Sequence, residues 1–201
     1  TYVVWDETGE CVVIDPGCQS DTERERLKKF IETNNLKPVK LLNTHGHFDH
    51  VMGNAFVVKT WGVKTYINPQ DKPQLERAFS YGEMFGYSIE QPPAETVDVN
   101  DGDKIEFGNS YLKVITTPGH TRGGVCYYTE EPENKIVFAG DSLFAGSIGR
   151  TDLPGGDYDD LMNSLLKKIV ELGGDYKVLS GHGPETTISH ELSTNPFLRY
   201  E

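Results

Sequence analysis

A chain of 201 residues suits one domain with a sizeable core, and its formal charge of −12 argues against a surface built to grip a phosphate backbone, so no nucleic-acid partner is expected. No stretch approaches the roughly 18 apolar residues of a membrane span, and no basic and apolar leader opens the chain, so no membrane partner is expected. Three cysteines, Cys11, Cys18 and Cys126, are odd in number and widely spaced; they make no disulfide framework and fit a reducing cytoplasm.

Tyr2 to Trp5 and Cys11 to Ile14 read as two strands joined by a turn at Asp6 to Glu10. Asp15-Pro16-Gly17 ends the second, and Ser20-Asp21-Thr22-Glu23 has the form of a capping box opening a helix that reaches Asn34 or Asn35. Pro38 starts a strand that runs through Val39-Lys40-Leu41-Leu42-Asn43. Another helix is expected from Val51, a strand from Val63 to Ile67, and a helix from Asp71 to Phe79 with Pro69 at its entry. Ser80 to Ala94 shows no period and reads as a loop whose aromatic residues wall a pocket. Strands then dominate: Thr96 to Val99, Lys104 to Phe107, Tyr111 to Thr116, Val125 to Thr129 and Lys135 to Ala139. Asp157 is placed as the N-cap of an amphipathic helix from Tyr158 to Leu172, followed by a strand at Tyr176 to Leu179 and a short helix at Glu185 to Leu192. Two batches of strands interleaved with helices imply two sheets packed together with helices outside, in a single domain over 1–201. The opening at Thr1, without methionine, leads to the expectation that a short strand is missing upstream.

Thr44-His45-Gly46-His47-Phe48-Asp49-His50 carries the chemistry. Three imidazoles and a carboxylate sit together on the turn between a strand and a helix, a density of ligating side chains that a solvated polar loop rarely has. Three more candidates occupy one kind of context. His120 follows an apolar strand and Pro118-Gly119, Asp141 follows a strand that stops at Gly140, and His182 lies between Gly181 and Gly183 after Val178-Leu179. Five histidines and two carboxylates exceed one closed zinc site and suit two ions sharing a bridging carboxylate. Imidazole and carboxylate donors without thiolate favour zinc, with iron or manganese compatible. Such a pair activates water and polarises a carbonyl, so hydrolysis of an ester-like or amide-like bond is expected.

His45-Gly46-His47-Phe48-Asp49-His50 resembles the H-x-H-x-D-H signature of the metallo-β-lactamase superfamily, and Asp15, His120, Asp141 and His182 resemble its other motifs in order. The resemblance implies an α+β fold, an αβ/βα four-layer sandwich of two facing mixed sheets with helices outside. It implies one metal on His45, His47 and His120 and a second on Asp49, His50 and His182, with Asp141 bridging. Asp49 and Asp141 are the carboxylates expected to take part in catalysis. Asp15 is implied as the outer aspartate that orients a ligand histidine. Aspartate rather than cysteine at 141 is similar to glyoxalase II (hydroxyacylglutathione hydrolase) and points to a thiolester substrate. The segments Gly149 to Asp157 and Gly181 to Thr187 resemble small bacterial glyoxalase II-like hydrolases. No separate C-terminal substrate domain is expected. Arg150 is the candidate for binding the carboxylate of the thiol; the competing reading pairs it on the surface with Asp152 or Asp157. The rival function in the same superfamily is a persulfide dioxygenase, with one iron on His45, His120 and Asp141.

Overall fold

Tyr2–Trp5 (β1) and Glu10–Ile14 (β2) pair antiparallel, with Trp5 opposite Cys11 and Tyr2 opposite Ile14. In the computed structural model, which describes residues 1–199, this hairpin edges a five-stranded sheet. It continues in parallel through Lys37–Leu42 (β3), Thr65–Ile67 (β4) and Thr96–Asp98 (β5). Val12, Val13 and Ile14 are all fully buried, which is why β2 reads as an unbroken apolar run rather than an alternating one.

The helix Asp21–Thr33 (α1) starts as expected: the Ser20 hydroxyl accepts from the Glu23 amide while the Glu23 carboxylate accepts from the Ser20 amide. Two further helices, Phe48–Val51 (α2) and Asn54–Trp61 (α3), replace the single one expected from Val51. The first begins inside the histidine cluster, so Asp49 and His50 are helical. Between them the Gly53 amide donates to the Pro16 carbonyl at 2.7 Å, fixing the Pro16–Cys18 turn against the break and burying Cys18.

Lys72–Met84 (α4) follows a 3-10 turn at Pro69–Asp71 and runs five residues further than the sequence reading placed it. Leu75, Ala78 and Gly82 lie on one face at helical spacing and are buried, which sustains the extra turn. Val51, Met52, Ile67, Leu75, Ala78 and Ile89 form one apolar cluster, and Val13, Leu41, Val57 and Val63 another.

Residues divide into two compact units. Thr1–Val99 with Ile105–Tyr111 make the first, and the remaining described residues the second. Lys104–Phe107 (β6) and the start of Ser110–Thr116 (β7) tie into the first unit through their turn, where Gly108 donates to Glu10 Oε2 at 3.0 Å and Asn109 to Asp6 Oδ2 at 2.5 Å.

In the second unit, β7 pairs antiparallel with Val125–Tyr128 (β8), and β8 pairs antiparallel with Ile136–Gly140 (β9). Two short strands, Leu143–Phe144 (β10) and Ser147–Ile148 (β11), form a hairpin that the sequence did not announce. Tyr158–Ser164 (α5) is capped by Asp157, whose carboxylate accepts from the Asp160 amide at 2.9 Å. It passes into a π turn at Leu165–Ile169 and a 3-10 turn at Val170–Leu172. Leu161, Leu165 and Ile169 step by four residues, overshooting the 3.6-residue turn; the wider π turn keeps all three on the buried face. Burying each contributes on the order of 1.5–3 kcal/mol. Lys177–Ser180 (β12) runs parallel to β9 and antiparallel to Thr186–Thr187 (β13), and Ile188–Thr194 (α6) closes the unit. Cys126, Val137, Ala139, Leu161, Leu165 and Val178 are among the residues of its core. Among the described residues no helix is long and apolar enough to cross a membrane.

Candidate metal centre

The apolar residues of β3 deliver Thr44 to His50 from a strand end into a helix start. Thr44 and His45 are buried there, as is His50 on α2, while His47 and Asp49 are half-buried. The rings of His45 and His50 lie 4.1 Å apart and those of His45 and His47 4.8 Å apart. Asp15, 6 % exposed and held in the left-handed region at φ +46°, organises this loop from beneath. Its Oδ1 accepts from the Thr44 amide at 2.8 Å. Its Oδ2 accepts from the Thr44 hydroxyl at 2.6 Å and lies 3.0 Å from His50 Nδ1. A left-handed aspartate is strained, and strain of this kind persists where the surrounding structure enforces it.

The hydrogen bonds fix the tautomers. Thr44 Oγ1 gives its only proton to Asp15, so the contact of 3.0 Å with His45 Nδ1 has the imidazole donating. His50 Nδ1 faces a carboxylate oxygen and donates likewise. Both rings therefore carry their lone pair on Nε2. His50 Nε2 lies 3.7 Å from Asp49 Oδ2, and the Nε2 atom of His45 is buried without a hydrogen bond. A second buried carboxylate, missed in the sequence, braces the same loop. Asp71 is fully buried at the end of the 3-10 turn, and its Oδ2 accepts from the Gly46 amide at 2.8 Å. Gly46 has to be glycine: a Cβ there would lie 2.7 Å from the Gln74 Cβ, 2.8 Å from the Asp71 carbonyl and 2.9 Å from the Leu75 amide. An aspartate in the first turn of a helix is ordinarily solvated, so nothing in the sequence marked Asp71 as inward-facing.

The second unit gathers His120, Asp141 and His182. His120 Nδ1 lies 2.8 Å from the Arg150 carbonyl oxygen, which can only accept, so the proton is on Nδ1 and Nε2 again holds the lone pair. That Nε2 is 3.7 Å from Asp141 Oδ2, and His182 Nε2 approaches the same oxygen to 3.6 Å. These separations are too long for hydrogen bonds. Two ligand atoms held tetrahedrally at about 2.1 Å from one ion would stand roughly 3.4 Å apart, close to what is seen. Asp141 Oδ1 is buried without a hydrogen bond. Gly149 makes the arrangement possible, because a Cβ there would overlap the Asp141 carbonyl oxygen and press on the His120 Cβ at 3.2 Å.

The donor set fits a metal. Three imidazoles are locked with Nε2 as the lone-pair nitrogen, each through a partner on Nδ1, as is usual around metal-binding histidines. Asp15, His45 and His50 cluster with one polar atom of each within 4.8 Å of the others, a His/Asp group in which Asp15 stands on the Nδ1 side of His50 and the imidazoles offer Nε2 to an ion.

Arg150 takes the surface pairing: Nε donates to Asp152 Oδ1 at 2.8 Å and Nη2 to Oδ2 at 2.7 Å. Its guanidinium holds the Asp152 carboxyl down at about 2. Phe48 packs on the apolar cluster below it, and His190 is exposed as expected. Cys11 and Cys126 are core residues, and burial pushes the Cys11 thiol up to about 12. Glu191, beside His190, is a further surprise: it is fully buried, accepting from Gly146 N at 2.8 Å, Thr186 Oγ1 at 2.5 Å and Asn195 Nδ2 at 2.8 Å.

Residues 1–182 match the model of the metallo-beta-lactamase superfamily. Hydroxyacylglutathione hydrolase GloC of Haemophilus influenzae is 36% identical, covering 98% of this chain and 91% of its own. A solved structure of TTHA1623 in a di-iron-bound form is 39% identical with a TM-score of 0.87, covering 98% and 93%. That of BLEG-1, described as a B3 metallo-beta-lactamase, is 37% identical with a TM-score of 0.86, covering 98% and 92%. The chain thus belongs to the metallo-β-lactamase superfamily and has its α+β sandwich fold of mixed sheets and helices, in a metal-dependent enzyme of the hydrolase type.

Proposed function

We propose that the protein is a two-metal hydrolase of thiolesters, with one ion held by His45, His47 and His120, the other by Asp49, His50 and His182, and Asp141 shared between them. The observation that carries the metal chemistry is the common state of His45, His50 and His120, each with Nδ1 engaged as donor and Nε2 left for ligation. Likeness to a hydroxyacylglutathione hydrolase, together with aspartate at 141, supports the thiolester. Zinc is the first expectation from the donors, with iron or manganese compatible, and a similar protein has been solved in a di-iron-bound form.

A pair of divalent ions bound there would supply an acidified water and polarisation of the substrate carbonyl. The protein's own groups do the rest. Asp15 keeps His50 turned by accepting its Nδ1 proton, and through Thr44 it fixes His45 as well. Asp49, beside His50 Nε2, is assigned to accept a hydrogen bond from the attacking water through a carboxylate oxygen. A thiolate with an ordinary pKa of about 8.5 leaves near neutral pH without a proton donor, so a thiolester makes no demand for a general acid. Arg150 is assigned to the carboxylate of the thiol, which would displace Asp152 from the same bidentate fork.

The test is metal-loaded protein with S-lactoylglutathione and simpler thiolesters, followed by thiol release. Cleavage that chelation abolishes and readdition of metal restores supports the proposal. Oxygen uptake on a persulfide with a single iron per chain, and no thiol release, would replace it with the dioxygenase.

A further inference from the structure

Between two of the assigned ligands, His47 and Asp49, stands Phe48. Its ring rests on the cluster of Val51, Met52, Ile67, Leu75, Ala78 and Ile89 and also faces two aromatic residues beyond the end of α4. Phe85 stacks on it with centroids 5.4 Å apart and planes inclined by 13°, and Tyr87 lies 5.7 Å away at 38°. The backbone that carries the outer rings is well anchored. The Phe85 amide donates to Tyr81 and Gly82 carbonyls at 3.3 and 3.1 Å, and the Tyr87 amide to the Gly82 carbonyl at 2.9 Å. Yet the rings themselves are open: Phe85 is 66% exposed and Tyr87 41%, with Met84 beside them at 79%. Two aromatic rings left largely in water, set against a third, half-buried one inside the ligand loop, form a patch of the kind that receives a ligand.

Charge selects what kind. Residues 80–94 contain no lysine, arginine or histidine and two glutamates, Glu83 and Glu90. An anionic thiol carrier would find no counter-charge on this loop, where Lys59 from outside it is already paired with Glu90, whereas an uncharged hydrocarbon needs none. Resting on the thiolester reading above, we propose that Phe48, Phe85 and Tyr87 form the acyl subsite, and that the preferred acyl group is apolar and aromatic rather than small and hydroxylated. Stacking on such a platform favours an aryl group over a methyl by about tenfold.

The probes are S-phenylacetyl- and S-acetyl-N-acetylcysteamine for hydrolysis, and the uncleavable thioethers S-(2-phenylethyl)- and S-ethyl-N-acetylcysteamine for binding by calorimetry to the metal-loaded protein. The proposal expects the phenylethyl thioether to bind about ten times more tightly than the ethyl one, and the kcat/KM ratio of phenylacetyl to acetyl substrate to be of similar size. Phe85→Ala and Tyr87→Ala, both at exposed positions whose truncation empties no core, are each expected to bring both ratios to within about twofold of unity. Equal binding of the two thioethers by the wild type, or ratios that survive both substitutions, would overturn it. So would a dimer in sedimentation that Phe85→Ala converts to monomer, since the patch would then be a subunit interface. Should the thioether preference appear and respond to Phe85→Ala while no thiolester is cleaved, the subsite stands and the thiolester reading falls.

Discussion

In the first unit His45, His47, Asp49 and His50 share one short stretch that runs from a turn into α2, braced by the buried carboxylates of Asp15 and Asp71; in the second, His120, Asp141 and His182 come from three strand ends, braced by main chain. The Arg150 carbonyl orients His120, and the close approach at Gly149 sets Asp141 beside it. A charged acceptor on Nδ1 raises the basicity of an imidazole more than a neutral carbonyl does. A side-chain brace can also be removed by substitution, whereas a main-chain brace can be disturbed only by crowding it. The two halves therefore predict different responses to mutation.

Asp141→Ala is expected to have the largest effect. It removes the oxygen on which His120 Nε2 and His182 Nε2 converge, and metal content per chain should fall with kcat, the latter by roughly a thousandfold. Next come the carboxylate braces. Asp15→Ala and Asp71→Ala should each weaken metal affinity about 10- to 100-fold, measured against a chelating dye. Asp71→Ala also leaves the buried Gly46 amide without its acceptor, which costs about 1–3 kcal/mol in chemical denaturation. Asp71→Asn keeps an acceptor oxygen, so it should recover most of the affinity; equal losses in the alanine and asparagine variants would show that charge, not the hydrogen bond, matters. In the second unit Gly149→Ala should cost about 1–3 kcal/mol of stability and loosen metal binding through Asp141, with no effect if the main-chain brace is unimportant.

The contrast between the halves also explains what could be read in advance. Six consecutive residues with four side chains able to ligate a metal declare themselves, and the capping box, the β1–β2 turn and the Asp157 cap follow from local chemistry, so this cluster and most element starts were legible. His120, Asp141 and His182 were legible only as a repeated context, each just beyond an apolar strand. The braces were not. Asp71 and Glu191 have the sequence surroundings of solvated helix-surface acids and are both fully buried, because tertiary packing rather than local pattern decides which face of a helix turns inward. The helix break at Met52–Gly53 likewise depends on the Pro16 carbonyl, far away in the chain.

Smaller effects test the substrate side. The Asp152 carboxyl, lowered from 3.8 to about 2 by the Arg150 guanidinium, keeps its charge above its unfolded value and loses it only as the pH falls through about 2. KM for an anionic thiolester should therefore show no break from this pair between pH 5 and 9, while Asp152→Ala should lower KM a few-fold by removing the competitor for Arg150. Burial pushes the Cys11 thiol up to about 12 and the Cys18 thiol upward, so neither should react with a disulfide reagent in the native protein over the minutes of a thiol-release assay.

The most direct test of the central claim is metal titration of the metal-free protein with thiol release from a thiolester followed at each step. The account predicts saturation at two ions per chain, with hydrolysis rising as both are taken up and Asp141→Ala failing to reach that stoichiometry. Saturation at one ion, with no thiol released at any loading, would contradict it.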